Sequence, residues 1–112
     1  MLRIYSVILD FVTEVSPLIG RIARHDPDLA RQLRRASASV VLNTAEGMYA
    51  RGRQRTASYN IALREMRECH AVFEVSVLFH YLPPLPASLE DRIQRIIGTL
   101  YRLSFPRQVA AR

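Results

Sequence analysis

Arginine carries most of the charged chemistry of this chain. All sixteen basic residues are arginine, and the formal net charge is +6. Residues 31–67 hold eight arginines against Glu46 and Glu65, so this stretch accounts for the whole net charge. A guanidinium group makes paired hydrogen bonds to phosphate or carboxylate and stacks on flat surfaces. The pattern predicts a surface for phosphates or for an acidic partner, although a solvated basic face would have the same composition.

The arginines form two clusters within that stretch. Arg31, Arg34 and Arg35 precede a run of small residues, and Arg51, Arg53 and Arg55 follow Tyr49. Arginine beside an aromatic ring suits phosphate contacts combined with base stacking. The clusters are about 20 residues apart, or roughly 30 Å along a helix, so they should form two patches or one stripe. No base-reading motif is present, so any nucleic-acid binding is expected to follow shape and charge. Alternatively, Arg34 or Arg35 pairs with Glu68 across the second and third helices and has a structural role.

Other reactive side chains do not form a recognisable site. A di-metal site in a helical bundle needs Glu-x-x-His pairs, and the sequence contains none. Cys69 is expected to pack as a small apolar residue, and His70 and His80 as ordinary helix residues. We therefore expect no enzyme activity, no metal and no cofactor. The single cysteine and the lack of a roughly 18-residue apolar run predict a cytoplasmic protein without a membrane span.

Four helical segments must position these residues. Apolar periodicity and helix-breaking residues predict helices over about 2–23, 27–49, 56–81 and 88–105. Asp26 should cap the second helix, Thr56 or Ser58 the third and Ser88 the fourth. Pro17 should kink the first helix or split off its last turn. Short connections predict an all-α, antiparallel up-down-up-down four-helix bundle over residues 1–105, followed by a frayed tail at 106–112.

The second helix carries an apolar seam that includes an amide. The seam residues recur at steps of three and four: Leu29, Leu33, Ala36, Val40, Asn43 and Gly47. A buried Asn43 needs hydrogen-bond partners and is expected to fix helix register. Gly47 is expected to cap the helix or to allow a close approach. Leu42 on the opposite face, with Phe11 on a widened first helix, predicts a subunit interface in a homo-oligomer.

The stretch "LRRASASVVLNTAEG" (33–47), together with "IALREMRE" (61–68), resembles a known family. That family consists of four-helix-bundle proteins encoded in intervening sequences of bacterial large-subunit ribosomal RNA genes. Accessory proteins of diversity-generating retroelements are similar to it. Its signature of L-R-R-A followed by S-I-P-x-N-I-A-E-G is matched at Leu33, Arg34, Arg35, Ala36, Ser39, Val40, Asn43, Ala45, Glu46 and Gly47. The similarity extends over roughly residues 5–103.

The chain departs from the signature at three positions. Val41 stands where proline is usual, which predicts a straighter second helix, and Thr44 stands where isoleucine is usual. Glu68 matches the first carboxylate of a usual E-L-E, whereas His70 replaces the second.

The resemblance implies a closed bundle and a homopentamer around a central channel. Its retroelement relatives are basic and work with a reverse transcriptase and nucleic acid, while the ribosomal-gene members have no established activity. The resulting hypothesis is a non-enzymatic accessory or scaffold protein that binds RNA or DNA through its arginine patches. The alternative is a protein-protein interaction module, for example a partner of a polymerase, with no nucleic-acid role.

Overall fold

The computed structural model describes residues 2–107, in which all regular structure is helical. The helices are α1 (Arg3–Ala23), α2 (Pro27–Tyr49), α3 (Gly52–Leu78) and α4 (Ala87–Ser104). The predicted all-α class is confirmed. Residues 108–112 of the predicted frayed tail lie outside the described residues.

Helix α1 is amphipathic and continues through Pro17 without splitting off its last turn. Its buried stripe follows helical spacing from Ile4 to Ile22. On the side of α1 that faces α4, Glu14 forms an ion pair with Arg92. This pair joins the first and last helices of the chain.

Helix α2 begins and ends where the sequence predicts. The Asp26 side chain accepts a hydrogen bond from the backbone N–H of Leu29 at 3.0 Å, and Pro27 occupies the first helical position. The helix runs unbroken through Val41, which replaces the proline expected from the signature that the sequence resembles. A proline there would remove one backbone hydrogen bond, so its replacement permits an uninterrupted helix.

Helix α3 begins earlier and ends earlier than the sequence predicts. It starts at Gly52, with Arg51 in the capping position and no side-chain cap, so neither Thr56 nor Ser58 is the cap. Gly52 has a φ of +58°, which glycine adopts without strain, so the chain reverses there and enters the helix at once. At the other end the helix stops at Leu78 instead of near Tyr81.

The connection from α3 to α4 closes with backbone hydrogen bonds. The N–H groups of Tyr81 and Leu82 both donate to the carbonyl oxygen of Ser76. Helix α4 then begins at Ala87 after Pro86, without a side-chain cap. The predicted capping box at Ser88 is therefore wrong, because Ser88 already lies inside the helix.

The helices pack in a closed ring in which α1 contacts α2 and α4, and α3 contacts α2 and α4. At one end, the lower end, residues 24–26 and 79–86 lie together and His25 stacks on Tyr81 with ring centroids 5.1 Å apart. The opposite end, the upper end, holds residues 50–55 and the carboxyl end of α4. This arrangement is compatible with the predicted antiparallel up-down bundle, and the molecule is 42 Å long. Its core includes Phe11 and Phe73, whose rings meet edge to face.

Candidate nucleic-acid interface

The upper end of the bundle contains a cavity formed where α3 begins and α4 ends. Its volume is about 660 Å³, and we call it the main cavity. Arg53 and Arg55 from the first turn of α3 line it, together with Phe105 and Arg107 from the segment after α4. The antiparallel packing of α3 and α4 brings these four residues together, although about 50 residues of sequence separate the two pairs.

The main cavity is electropositive because of its arginines and the start of α3. The first turn of α3 has no acidic residue and no side-chain cap, so its unpaired N–H groups add to the positive end of the helix. Within residues 2–107, Arg51, Arg53 and Arg55 form no ion pair with a carboxylate. The Arg55 Nε donates a 2.9 Å hydrogen bond to the Ala50 carbonyl oxygen, which orients its guanidinium group. An anion that enters here would meet guanidinium donors without competing carboxylates.

Aromatic rings flank these arginines on both sides. Phe105 is 37% exposed at the edge of the main cavity, and its ring centroid is 5.1 Å from that of Tyr101. Tyr49, at the end of α2, is 86% exposed. The sequence predicted Tyr49 beside the arginines but missed Phe105 and Arg107. The sequence analysis treated Pro106 as the end of the helical region. The contact of residues 105–107 with the start of α3 follows from the tertiary fold.

The second predicted arginine cluster does not join this site. Arg31 forms an exposed ion pair with Asp28, one turn earlier in α2. Arg34 lines a shallow groove between α1 and α2. Arg35 faces α3, where its charge acts on Glu65. These three arginines therefore lie apart from the main cavity, which leaves both predicted arrangements, two patches or one stripe, open.

The suggested pairing of Arg34 or Arg35 with Glu68 is wrong, since the described residues show no such ion pair. Glu68 lies exposed on α3. Burial, followed by the charge of Glu68, raises the pKa of the neighbouring Glu65 carboxyl, while the charges of Arg64 and Arg35 oppose that shift.

Asn43 lies beside the buried seam of α2. Its side chain is only partly buried, and its Nδ2 donates to the carbonyl oxygen and the hydroxyl of Ser39, each at 3.0 Å. Both partners belong to the same helix, so these bonds do not fix the register between helices. Thr44 takes the seam position instead: it is fully buried, and its hydroxyl has no hydrogen-bond partner among the described residues.

Gly47 allows the close approach of α2 to α3 that the sequence suggested. A Cβ at this position would lie 2.5 Å from Cε1 and 2.8 Å from Cδ1 of the Tyr59 ring. The ring is buried, and desolvation raises the pKa of its hydroxyl, against the opposing charge of Arg55. The adjacent Glu46 side chain is exposed, while its backbone carbonyl oxygen accepts from the Ala50 N–H and closes the helix. The "AEG" part of the motif therefore shapes the α2–α3 contact below the main cavity.

The two predicted interface residues have different surroundings. Leu42 is 67% exposed on the outward face of α2, as a subunit contact requires. Phe11 is 0% exposed, because its ring packs against Phe73 inside the bundle. Phe11 is therefore a core residue, and its assignment as a surface contact is wrong.

The remaining reactive side chains lie on α3 or in the turn that follows it. Cys69 is buried, and desolvation raises the pKa of its thiol to about 12. His70 lies 3.9 Å from a carboxylate oxygen of Glu74 and 3.6 Å from one of Glu90, which links α3 to α4. Across residues 2–107, no three side chains of His, Cys, Asp or Glu converge as a metal site would require. His80 is exposed, with a φ of 62°, in the turn after α3.

Comparison with known proteins decides the family. The family model for the 23S rRNA-intervening sequence protein matches residues 1–102. The chain belongs to this family. The match spans all four helices almost to the end of α4, in agreement with the resemblance carried by residues 33–47 and 61–68. No curated protein and no solved structure gives a significant match. Within the described part of this family member, no helix is long and apolar enough to cross a membrane.

Proposed function

We propose that this protein is a non-enzymatic accessory or scaffold protein that binds RNA or DNA through arginines, by charge and shape. The observation that carries the proposal is the upper end of the bundle. Arg51, Arg53 and Arg55 are exposed there without a carboxylate partner in the described residues, around a cavity that Arg107 also lines. Phosphates are anions that suit paired guanidinium contacts and the positive end of a helix.

The arginines at 31, 34 and 35 contribute less to this binding. Arg31 is already paired with Asp28, and Arg35 interacts with the charge of Glu65. An exposed ion pair is worth little energy, so Arg31 can still exchange its partner for a phosphate. The upper-end arginines need no such exchange, and we assign them the larger share.

The proposal includes a homo-oligomer, for which the resemblance implies five subunits. In such an assembly, Leu42 on the outward face of α2 is the apolar residue that we expect a second subunit to cover. Repetition of the upper end around a ring would multiply the phosphate contacts and raise the effective affinity. Native mass spectrometry of the whole chain measures the subunit number, and a monomer mass would remove this part of the proposal.

Salt-dependent binding tests the nucleic-acid role. Purified, nuclease-treated protein is titrated into labelled structured RNA and labelled duplex DNA at several salt concentrations. For duplex DNA the log of the association constant should fall linearly with log salt, by about 0.9 for each phosphate neutralised. Replacing Arg51, Arg53 and Arg55 by alanine should weaken binding and make this slope shallower by roughly 2 to 3.

A charge-matched variant separates this site from general basicity. Arg21, Arg24 and Arg95 are exposed arginines away from the upper end, and their replacement removes the same net charge. Equal loss of affinity in both triple variants would show that net charge alone drives binding. A third variant, with alanine at 31, 34 and 35, measures the share of the other patch. Absence of binding at low salt would contradict the proposed function.

A protein-protein interaction module is the second candidate, and the lower end of the bundle favours it. Leu78 and Phe79 are exposed there, beside a cavity of about 360 Å³ that Val77 and Leu85 help to line. An exposed apolar patch of this kind is common at protein contacts. Replacing Leu78 and Phe79 by serine should abolish capture of a partner such as a polymerase if this candidate is correct, and should leave nucleic-acid affinity unchanged.

A further inference from the structure

The main cavity is the middle one of three adjoining cavities across the upper end. A smaller one of about 290 Å³, the Tyr49 cavity, is lined by Tyr49, Tyr59 and Arg55, and the last of these also lines the main cavity. A third of about 420 Å³, the Arg64 cavity, shares Arg53 and Phe105 with the main cavity. Shared side chains therefore connect the three into one path.

Arginine and aromatic side chains are interspersed along that path. In spatial order it passes Tyr49, Arg55, the pair of Phe105 and Arg53, and then Arg64. We call these five residues the arginine–aromatic track. Rings provide flat apolar faces, and guanidinium groups provide cationic donors between them. A chain of anionic groups that carries flat rings at regular intervals matches this sequence of contacts.

The polar groups of the main cavity are suited to phosphate. The hydroxyl of Thr56 donates to the Arg53 carbonyl oxygen, and that of Ser104 donates to the Leu100 carbonyl oxygen. Because both hydroxyl protons are engaged, the side-chain donors left in the lining are guanidinium N–H groups of Arg53, Arg55 and Arg107. The described residues of this lining suit an acceptor-rich anion, and they include no carboxylate that would repel it.

We propose that the arginine–aromatic track binds single-stranded nucleic acid, with phosphates on the arginines and unpaired bases stacked on Phe105 and Tyr49. This rests on the proposed nucleic-acid function and names its ligand class. In a duplex the bases are paired and stacked on each other, so their faces cannot reach a protein ring. The rings of the track can therefore contribute to the binding of single strands alone, while the arginines also hold duplex phosphates.

Fluorescence anisotropy with two probes tests this assignment. One probe is a labelled ten-nucleotide oligothymidylate. The other is a labelled hairpin duplex with the same number of phosphates, whose strands are joined by a non-nucleotide linker so that it has no unpaired base. Phe105→Leu and, separately, Tyr49→Leu should each weaken binding of the oligothymidylate about 5- to 150-fold, the range for loss of one stacked base. Each should leave the affinity for the hairpin within twofold, because charge is unchanged.

The control is Phe79→Leu, which removes an exposed ring at the lower end of the bundle. It should change neither affinity. Tyr49 is 86% exposed, so Tyr49→Leu retains the fold even if Phe105→Leu loosens the end of α4. If both ring variants bind the oligothymidylate as tightly as the unaltered chain, the track assignment is wrong. In that case binding of the hairpin would leave the proposed function standing, whereas failure of both probes to bind would overturn both proposals.

Discussion

Replacing Gly47 by alanine tests how closely α2 and α3 are packed at the motif. The new Cβ would lie 2.5 Å from Cε1 of Tyr59, where ordinary contacts begin at 3.4 Å. The ring would have to recede by about 0.9 Å, the difference between those two distances. Tyr59 is 3% exposed and borders the Tyr49 cavity on one side only, so the movement must displace side chains packed around the ring.

Two opposing effects set the magnitude. Overpacking of a well-filled core destabilises by about 1–3 kcal/mol. Alanine in a helix interior is favoured over glycine by about 1 kcal/mol. Because the clash involves three ring atoms of one buried side chain, we expect overpacking to fall in the upper part of its range. The net result for Gly47→Ala should be a loss of roughly 1–2 kcal/mol in the free energy of unfolding.

Urea unfolding followed by circular dichroism, at one fixed protein concentration, measures this change. Gly20→Ala is the matched control, because Gly20 is an exposed helical glycine with nothing within 4 Å of an added Cβ. That control should gain about 0.5–1 kcal/mol. Adding Tyr59→Leu to Gly47→Ala should relieve the clash, so the double variant loses less than the two single effects predict together. Equal stabilisation by Gly47→Ala and Gly20→Ala would refute the close-approach argument.

Two further predictions concern buried polar groups. Thr44→Val keeps the shape of the side chain and removes a hydroxyl that has no hydrogen-bond partner in the described structure. The free energy of unfolding, measured by urea titration, should therefore rise by about 1 kcal/mol. A decrease would mean that the hydroxyl is hydrogen-bonded. The Cys69 thiol should react with a disulfide reagent at pH 8 far more slowly in the folded protein than in denaturant, because burial raises its pKa to about 12 and leaves roughly one molecule in ten thousand as thiolate. Equal rates in the two states would contradict the buried position.

Local signals determined the parts of the fold that the sequence predicted well. Asp26 and Pro27 fix the start of α2 through one side-chain hydrogen bond and one restricted dihedral, both readable from two adjacent residues. The start of α3 was missed because "RGRQR" has the composition of a loop. Gly52 turns the chain within one residue, and the following arginines are already helical. The sequence does not reveal that this single glycine completes the turn.

The buried seam of α2 shows why periodicity alone places a residue only to within one position. After Val40 the next seam residue can be three or four positions later, since a helix has 3.6 residues per turn. The sequence pattern predicted Asn43 as the next seam residue, whereas Thr44 is the residue that is buried. Both residues are polar, so composition could not decide between them. Which of the two is buried depends on tertiary packing and cannot be read from the sequence of α2.

The candidate site shows the same limit at a longer range. Arg51, Arg53 and Arg55 could be selected from their density in the sequence, because charge clustering is visible without a fold. Phe105 and Arg107 could not, because their proximity to α3 depends on antiparallel packing of α3 against α4. A predicted antiparallel bundle places the start of α3 near the end of α4 without specifying which residues meet. The side chains that meet depend on where each helix begins and ends, and α3 was placed four residues too late.

The family signature and the candidate site lie on different parts of the molecule, and this bears on function. Ala36 and Val40 are buried, and Gly47 accommodates the ring of Tyr59, so the apolar positions of the matched motif maintain contacts between helices. The upper-end arginines fall outside the matched signature, in the first turn of α3. Family membership therefore accounts for the bundle, while the proposed nucleic-acid binding depends on the residues that this chain places at its upper end. A relative with the same motif but without arginine at 53 and 55 should share the fold and bind phosphate more weakly at its upper end, because the motif itself supplies no cation there.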